Sequence, residues 1–255
     1  MLAGYEVGDA SWAPAPQEPF ADSAAADPGK LRIAASTRPP VGDVTVDPLC
    51  ARAVEDAAEL LRSLGHEVEE VDPPWQREGV KETFGAVFCN HIALSIAYSG
   101  MVAGRDPSAD NMELMSWAIF SMVKKMNAIE SMAAAVRLQS FARELVAFLD
   151  GYDGLLTPAL AERPLTLGTL DTGGPDPMGA FTRSGLFTPF TPVVNATGQP
   201  AISLPLFEGE DGLPLGVQIV GRPAGEEALL ALATQLEEAQ PWAQRRAPLV
   251  EGVLD

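Results

Sequence analysis

The chain offers few of the side-chain combinations that hydrolytic enzymes use. It contains two histidines, His66 and His91, and two cysteines, Cys50 and Cys89, and it has no GxSxG sequence that would place a serine nucleophile on a strand-to-helix turn. Cys89 and His91 are the one nucleophile and base that lie close in sequence. Because residues two positions apart on a helix point in different directions, a hydrolase based on Cys89 is only an alternative hypothesis.

Metal and cofactor sites are not indicated by the sequence either. No CxxC motif or paired histidine spacing accompanies the two cysteines, so neither a zinc site nor a disulfide framework is predicted. The glycine cluster "DTGGPDPMG" lacks both the GxGxxG spacing and the lysine of a phosphate-binding loop. We therefore expect no metal and no cofactor, and reduced thiols of the kind found in cytoplasmic proteins.

The charge balance restricts the partners that the chain can bind. The 17 basic residues stand against 35 acidic ones, which gives a net charge of −18. Phosphate backbones and anionic lipid surfaces would be repelled, so we expect no nucleic acid and no membrane partner. We also expect no apolar run close to the roughly 18 residues of a membrane span. The N-terminus lacks the pattern of a signal peptide, and the sequence predicts a cytoplasmic location.

The first regular unit is predicted to be a strand, a helix and a second strand. "LRIAAS" (31–36) forms the first strand, and Asp47 followed by Pro48 is a typical helix start. The helix ends at Gly65, and "HEVEEV" (66–71) follows as a parallel strand, with His66 as a polar residue at its start. The glutamates of this strand favour the edge of the sheet. The buried stripe of the helix is expected at Leu49, Ala53, Ala57, Leu60 and Leu64.

Residues 80–150 show helical periodicity throughout. A second helix is expected to begin near Asp110, and a third is expected from about Asn127 to Leu149. The first of these three helices would share one face among Phe84, Val87, Phe88, His91, Ile92 and Ser95. The third would bury Met132, Val136, Phe141, Leu145 and Phe148. A helical layer of this size indicates that the sheet is covered by helices.

The C-terminal part alternates between loop and strand signals. "YDGLLTPAL" predicts a strand that ends at Thr157 and Pro158, and 161–194 is expected to be a loop. Two alternating runs, 200–207 and 215–220, predict an antiparallel hairpin, in which Pro205 must occupy an edge or irregular position. A closing helix follows at "GEEALL". The fold class is α/β, a mixed sheet flanked by helices, with an irregular connector at 1–29 and a single domain at 30–255.

Several of these segments resemble the amidase signature family. The matching segments are "LRIAAS", "ARAVEDAAELLRSLGHEVEEVDPP", "YDGLLTPAL", "NATGQPAISLPL", "LPLGVQIVG" and "GEEALLALATQLEEAQPW", and "MLAGYEVGD" is similar to the segment that follows the family's catalytic region. Members of this family are serine hydrolases that cleave carboxamides with a Ser–Ser–Lys triad. The resemblance therefore implies hydrolysis of a small-molecule amide, and the hydrolases of cyclic amide oligomers are the branch it favours.

The resemblance also implies that the catalytic groups lie outside this chain. The family's lysine and its glycine–serine-rich region precede all of the matching segments, and no segment here reads GGSSGG. Lys30, Lys81, Lys124 and Lys125 stand in other sequence contexts. We therefore expect the C-terminal portion of an amidase, an incomplete version of the fold that has no catalytic residue and is inactive alone. An alternative is that the chain docks a partner carrying the signature, or forms a homo-oligomer.

The same resemblance suggests which residues contact the substrate. The candidates are Cys89 and Asn90 on the inward face of a helix, Thr157 at the strand exit, Phe190 in the loop, and Asn195 before the hairpin. Structural roles remain open beside these, because Cys89 could be a small core residue and Asn195 could cap a turn through its side chain. The walls of small-molecule pockets are mostly apolar.

Overall fold

A five-stranded mixed sheet forms the centre of the molecule. The computed structural model describes residues 4–10 and 14–246, so the last nine residues of the predicted domain lie outside the described part. The strands are β1 (Arg32–Ala35), β2 (Glu67–Glu70), β3 (Gly154–Pro158), β4 (Ala201–Glu208) and β5 (Pro214–Gly221), in the order β2-β1-β3-β5-β4. β1 runs parallel to β2 and β3, and β5 pairs antiparallel with β3 and β4. The predicted mixed sheet, with the 66–71 strand at its edge, is confirmed.

Helices cover both faces of the sheet. They are α1 (Phe20–Ala24), α2 (Pro48–Ser63), α3 (Val80–Ala103), α4 (Leu114–Val123), α5 (Ala128–Leu149), α6 (Pro177–Phe187), α7 (Thr191–Thr197) and α8 (Glu226–Ala239). Side chains of α2 and α8 pack with Ile33 and Ala35 in one core cluster, whereas those of α5 and α7 pack with Ala34 in another. Successive residues of β1 therefore serve opposite cores, as the two-residue period of a strand requires.

Helix α2 begins where the sequence predicts. The Asp47 carboxylate accepts a hydrogen bond of 2.8 Å from the Leu49 N–H, and Pro48 occupies the first turn. The predicted buried stripe is only partly correct, because Ala53 and Ala57 are buried but Leu49 is 43% exposed. The buried face of α2 begins at Cys50 instead of Leu49. Helical periodicity alone does not decide which of two adjacent residues points towards the sheet.

His66 has a larger structural role than its position in the sequence indicates. It is buried; its Nδ1 accepts a hydrogen bond of 3.1 Å from the Leu31 N–H, and its Nε2 lies 2.7 Å from Oε1 of Gln235. A backbone N–H can only donate, so Nδ1 carries no proton and Nε2–H donates to Gln235. The His66 imidazole thus ties the start of β1 to α8.

Two predictions about the helical layer require correction. The second helix of the helical layer begins at Leu114, not near Asp110. The third helix has the predicted Asn127 cap, completed by Glu130, yet Met132 and Val136 are exposed. Its buried face consists of Ala134, Leu138, Phe141, Ala142, Leu145 and Leu149, because the register facing the core is offset from the expected one.

The predicted 161–194 loop contains α6, and α7 begins near its end. Asp176 caps α6 by accepting a hydrogen bond of 2.9 Å from the Gly179 N–H, and Pro177 occupies its first turn. This is the same start signal as in α2, here within a segment rich in glycine and proline. The 1–29 connector is also not wholly irregular, since it includes α1, which packs against α8.

Helix α3 corrects the expectation that no apolar stretch approaches membrane length. Among the described residues it is the one helix of at least 18 residues that is apolar enough to cross a membrane by length and composition. Only 11% of its most apolar window is buried within the chain. The helix therefore presents most of its apolar length at the surface.

The C-terminal hairpin forms as predicted, with an irregular ladder at Pro205. β4 is an edge strand, and its register with β5 shifts between Leu204 and Phe207, which accommodates the missing N–H of Pro205. The guanidinium of Arg245 donates hydrogen bonds of 2.8 and 2.9 Å to the carbonyl oxygens of Pro205 and Leu206. This contact covers backbone groups of an edge strand that would otherwise be open to pairing.

Arg245→Ala is expected to lower the free energy of unfolding by about 1–2 kcal/mol, because two charge-assisted hydrogen bonds to the edge strand are lost. Arg246→Ala is the matched control, since within 4–10 and 14–246 the Arg246 side chain bonds only to the nearby carbonyls of Ala243 and Arg245. Urea unfolding and light scattering would measure the two variants. Equal stability and equal aggregation of both variants would contradict the role given to Arg245.

Candidate functional site

An apolar cavity of about 360 Å³ lies between α3, α6 and α7. α3 contributes Phe84 and Phe88, α6 contributes Phe181, and α5 closes the inner side with Leu138 and Phe141. The volume is within the range of small-molecule sites, although near its lower end. The space suits a compact, mostly apolar ligand.

Three stacked phenylalanine rings form one wall of the cavity. The ring centroids of Phe84 and Phe88 are 5.7 Å apart with 17° between the ring planes, and those of Phe88 and Phe181 are 6.1 Å apart with 20°. Phe84 and Phe88 share a face of α3, as predicted, because residues four apart on a helix are neighbours. Phe88 remains 41% exposed, so the stack offers an open aromatic surface to a ligand.

Polar groups line the cavity next to this wall. The Ser184 hydroxyl donates to the Phe181 carbonyl at 2.7 Å, and the Thr188 hydroxyl donates to the Ser184 carbonyl at 3.0 Å. Both hydroxyls keep acceptor lone pairs. The exposed amide of Asn195 makes no hydrogen bond within 4–10 and 14–246 and can both donate to and accept from a ligand.

Ion pairs hold the elements around the cavity. Lys81, the one lysine that lines it, lies 2.7 Å from the Asp43 carboxylate, and this pairing lowers the pKa of Asp43. Arg183 of α6 donates to both oxygens of Glu162 at 2.8 and 2.5 Å, which fixes α6 against the segment that follows β3. The charged side chains of Lys81 and Arg183 near the cavity are therefore engaged in ion pairs.

The predicted site residues are only partly brought together. Asn195 lies on α7 and lines the cavity, whereas Cys89, Asn90, Thr157 and Phe190 are not among its lining residues. Asn90 has a side-chain oxygen that is buried without a hydrogen-bond partner in the described part of the chain. Burying an oxygen acceptor without a hydrogen-bond donor lowers the stability of the folded chain, unless a donor group approaches it.

Thr157 and Phe190 are core residues. The Thr157 hydroxyl donates to the Pro158 carbonyl at 3.0 Å and accepts from the Gln218 side-chain amide at 3.2 Å. Phe190 is the N-cap residue of α7, and its ring meets Trp75 edge-to-face at 6.2 Å. Both side chains lie buried between the sheet and the helices, and from there they stabilise the elements around the cavity.

Sequence reasoning missed Phe181 and Ser184 as lining residues. Both lie on α6, inside the segment that was predicted to be a loop. The signal that could have located them is the Asp176–Pro177 helix start, which would have placed Ser184 and Gly185 one turn after Phe181 on the same helix face.

The two cysteines are buried and disfavour thiolate chemistry. Burial, and then the nearby charge of Asp47, raises the pKa of the Cys50 thiol from 9.0 to about 11. Burial also raises the pKa of Cys89. His91 makes no hydrogen bond to Cys89 within the described residues: its Nδ1 bonds the Val87 carbonyl of the same helix at 2.8 Å, and its ring is exposed whereas Cys89 is buried. These observations count against the Cys89-based hydrolase.

Alkylation of Cys50 at pH 9 is expected to be about 50-fold slower in the folded chain than in the unfolded chain, since the thiolate fraction falls from about half to about one hundredth. The rate in the folded state should rise towards pH 11, where the thiol loses its proton. Iodoacetamide labelling followed by mass spectrometry measures both rates, with labelling in guanidinium chloride as the control. Rapid labelling of native Cys89 at pH 8 would restore the thiol hypothesis.

Metal-ligating side chains do not cluster in the described residues. No group of three or more His, Cys, Asp and Glu side chains within 4–10 and 14–246 could hold a metal ion. The chemistry that the cavity itself offers is therefore apolar binding with a small number of hydrogen bonds.

Comparison with known proteins identifies relatives of this fold. The family model described as Amidase matches residues 1–230. The chain is 35% identical over 261 residues to the 6-aminohexanoate-cyclic-dimer hydrolase of Paenarthrobacter ureafaciens, and it is 35% identical over 262 residues to the enzyme of the same name from Pseudomonas sp. (strain NK87). Each match covers 98% of this chain and 52% of the relative, so the chain spans about half the length of these relatives.

Solved structures of related proteins show the same similarity. A structure of 6-aminohexanoate cyclic dimer hydrolase in complex with its substrate superposes with a TM-score of 0.86 at 30% identity, covering 97% of this chain and 53% of that one. A bacterial aryl acylamidase of the amidase signature enzymes superposes with a TM-score of 0.73 at 21% identity, covering 91% of this chain and 48% of that one. The second likeness concerns the fold alone.

Proposed function

The chain belongs to the amidase family, and on that basis we propose that the protein hydrolyses a non-peptide carboxamide bond in a small molecule, with this chain forming the wall that binds the acyl side of the substrate. The observation that carries the proposal is the apolar cavity beside Phe84, Phe88 and Phe181 in a chain with an amidase fold. The reacting serines and lysine are proposed to come from outside this chain.

The cavity favours an uncharged substrate. Its lining is mostly aromatic and aliphatic, and its one lysine, Lys81, is paired with Asp43. A charged acyl group would lose its hydration without gaining a free counter-ion. A cyclic amide oligomer has no charged termini and a flexible alkyl chain, which agrees with the names of the relatives from Paenarthrobacter and Pseudomonas. Substrates of this class are therefore the preferred candidates.

Binding roles follow from the position of each side chain. Asn195 is proposed to hydrogen-bond the substrate amide, since its own amide is exposed at the cavity and unpaired within the described residues. Cys89, Asn90, Thr157 and Phe190 are proposed to take part in substrate binding from behind the lining. For Asn90 the support is the buried oxygen that lacks a donor. For the other three the support is the family resemblance alone.

In the proposed reaction this chain holds the acyl group of the substrate in place and supplies no reacting group. A serine oxygen attacks the amide carbon, the C–N bond breaks, and the nitrogen leaves with a proton as an amine. Water then cleaves the acyl–serine ester and releases the acid. Binding of the alkyl chain against the phenylalanine wall fixes the substrate carbonyl relative to the nucleophile. This positioning lowers the activation barrier of the attack.

Hexanamide is a suitable probe of this proposal, because it joins one carboxamide to a short alkyl chain. The full chain should bind it with a Kd of about 1 mM, and Phe88→Ala should weaken binding about tenfold. Asn195→Leu should weaken hexanamide but leave hexanol unaffected, since only the amide contact is lost. Two-dimensional NMR titration of each variant with each ligand measures these affinities.

The matched control for this titration is Leu167→Ala, because Leu167 is fully exposed in a loop away from the cavity. This variant should bind hexanamide as the unmodified chain does. Shifts confined to residues distant from the cavity, or equal affinities in Phe88→Ala and the unmodified chain, would refute the binding site.

A second candidate is that the chain is one half of a two-chain amidase and docks a partner that carries the catalytic signature. The observation that favours it is that the chain matches only 52% of the relatives' length while 98% of the chain is matched. The chain alone should then show no amide turnover. Turnover by the chain alone that a serine-reactive reagent blocks would contradict both candidates. A sharp cooperative melt of the chain alone would count against the second.

A further inference from the structure

A second cavity, of about 490 Å³, lies between α3 and the segment 104–116, which leads from α3 into α4. It adjoins the first cavity at Phe88, because Phe88 lines both of them. Half-buried apolar side chains of Ile92, Ile96 and Met112 form much of its remaining wall. The volume is within the range of small-molecule sites.

Hydrogen bonds and close packing fix the segment that closes this second cavity. The Arg105 N–H donates to the Gly100 carbonyl at 3.1 Å, and the side-chain amide of Asn111 donates to the Asp106 carbonyl at 3.1 Å. A Cβ atom at Gly100 would lie 2.9 Å from Cδ of Pro107, so the segment approaches α3 more closely than any other residue would allow. The wall opposite α3 is therefore a defined part of the fold.

Two side chains of opposite charge in this wall are unpaired. Arg105 and Asp106 line the second cavity, and within 4–10 and 14–246 neither side chain makes a hydrogen bond or an ion pair. The first cavity differs in this respect, because its one lysine, Lys81, is paired with Asp43. A guanidinium and a carboxylate are thus available to a ligand in the second cavity.

Uncharged polar groups accompany these charges. The Nδ1 atom of His91 donates to the Val87 carbonyl at 2.8 Å, which leaves Nε2 available to a ligand. The hydroxyls of Ser99 and Ser116 also line the second cavity and have no hydrogen-bond partner in the described part of the chain. Apolar walls with a few polar groups are the usual composition of a small-molecule site.

The unpaired charges favour a ligand that carries both signs. An anion would pair with Arg105, but it would be repelled by Asp106 and by the net charge of −18 on the whole chain. A cation would pair with Asp106 and be repelled by Arg105. A molecule that joins an ammonium to a carboxylate through an alkyl chain pairs with both side chains, has no net charge, and places its alkyl chain against the apolar wall.

We propose that the second cavity binds a linear ω-amino acid, and that this ligand is the product released when a cyclic amide is opened, a link that rests on the proposed function. Hydrolysis adds water across the C–N bond. The carbon gains the oxygen and becomes a carboxylate, and the nitrogen gains both hydrogens and becomes an ammonium. The charged product finds no free counter-ion in the first cavity, whereas the adjoining second cavity supplies one for each end.

Two-dimensional NMR titration of the full chain at pH 7 tests this site with 6-aminohexanoic acid, which has the same number of carbon atoms as hexanamide. We expect a Kd of about 2 mM, with shifts at Gly100, Ala103 and Met112. Hexanoate and hexylamine should each bind about fivefold more weakly, because each lacks one of the two ion pairs and an exposed ion pair contributes up to about a factor of five.

Substitutions of the two charged residues separate the two ends of the ligand. Arg105→Gln should weaken 6-aminohexanoic acid about fivefold without weakening hexylamine, and Asp106→Asn should weaken it about fivefold without weakening hexanoate. Arg52→Gln is the matched control: it removes the same charge from an exposed position on α2, which packs on the other face of the sheet. This variant should bind 6-aminohexanoic acid as the unmodified chain does.

Hexanamide separates failure of this site from failure of the proposed function. Hexanamide binding at the first cavity, without shifts at the second on adding 6-aminohexanoic acid, would overturn the second site and leave the proposed function intact. Binding of 6-aminohexanoic acid at the second cavity without any hexanamide binding would support the second site and contradict the first. Equal affinities in Arg105→Gln and the unmodified chain, or displacement of hexanamide from Asn195 by the amino acid, would also overturn the inference.

Discussion

The structure depends on a sheet whose central strands must bury both of their faces. In β1 the side chains of Ile33 and Ala35 enter the core formed with α2 and α8, while Ala34 between them enters the core formed with α5 and α7. The two-residue period of a strand makes both cores obligatory at once. Helices α2 and α8 therefore pack on one face of the sheet, and α5 and α7, which line or adjoin the cavity, pack on the other.

The cavity is built on this frame by elements that are themselves less deeply buried. α6 has no fully buried residue and is held by the Arg183–Glu162 pair and by the stacking of Phe181 on Phe88. α7, by contrast, is anchored in the core through Val193. The core-anchored α7 and the more exposed α6 thus both line the cavity that is proposed to bind a ligand.

Much of the fold could be predicted from local signals, whereas the site could not. The Asp47–Pro48 start, the Asn127 cap and the irregular position of Pro205 each depend on a few adjacent residues, and the structure has all three. The cavity depends on which helix faces meet. The α2 and α5 stripes were only partly correct, with Ala53 and Ala57 and with Phe141 and Leu145 buried as expected, and α6 was missed, because helical periodicity gives a face without saying what it packs against.

The sequence by itself determined the mixed α/β class, the edge position of β2, and family membership, because alternation, turn residues and long matched segments are properties of the chain read in order. Only the tertiary structure decided that Phe181 joins Phe84 and Phe88, and that His66 is buried against α8. The physical reason is distance along the chain. Gln235 lies 169 residues from His66, and no local propensity specifies a contact between residues so far apart.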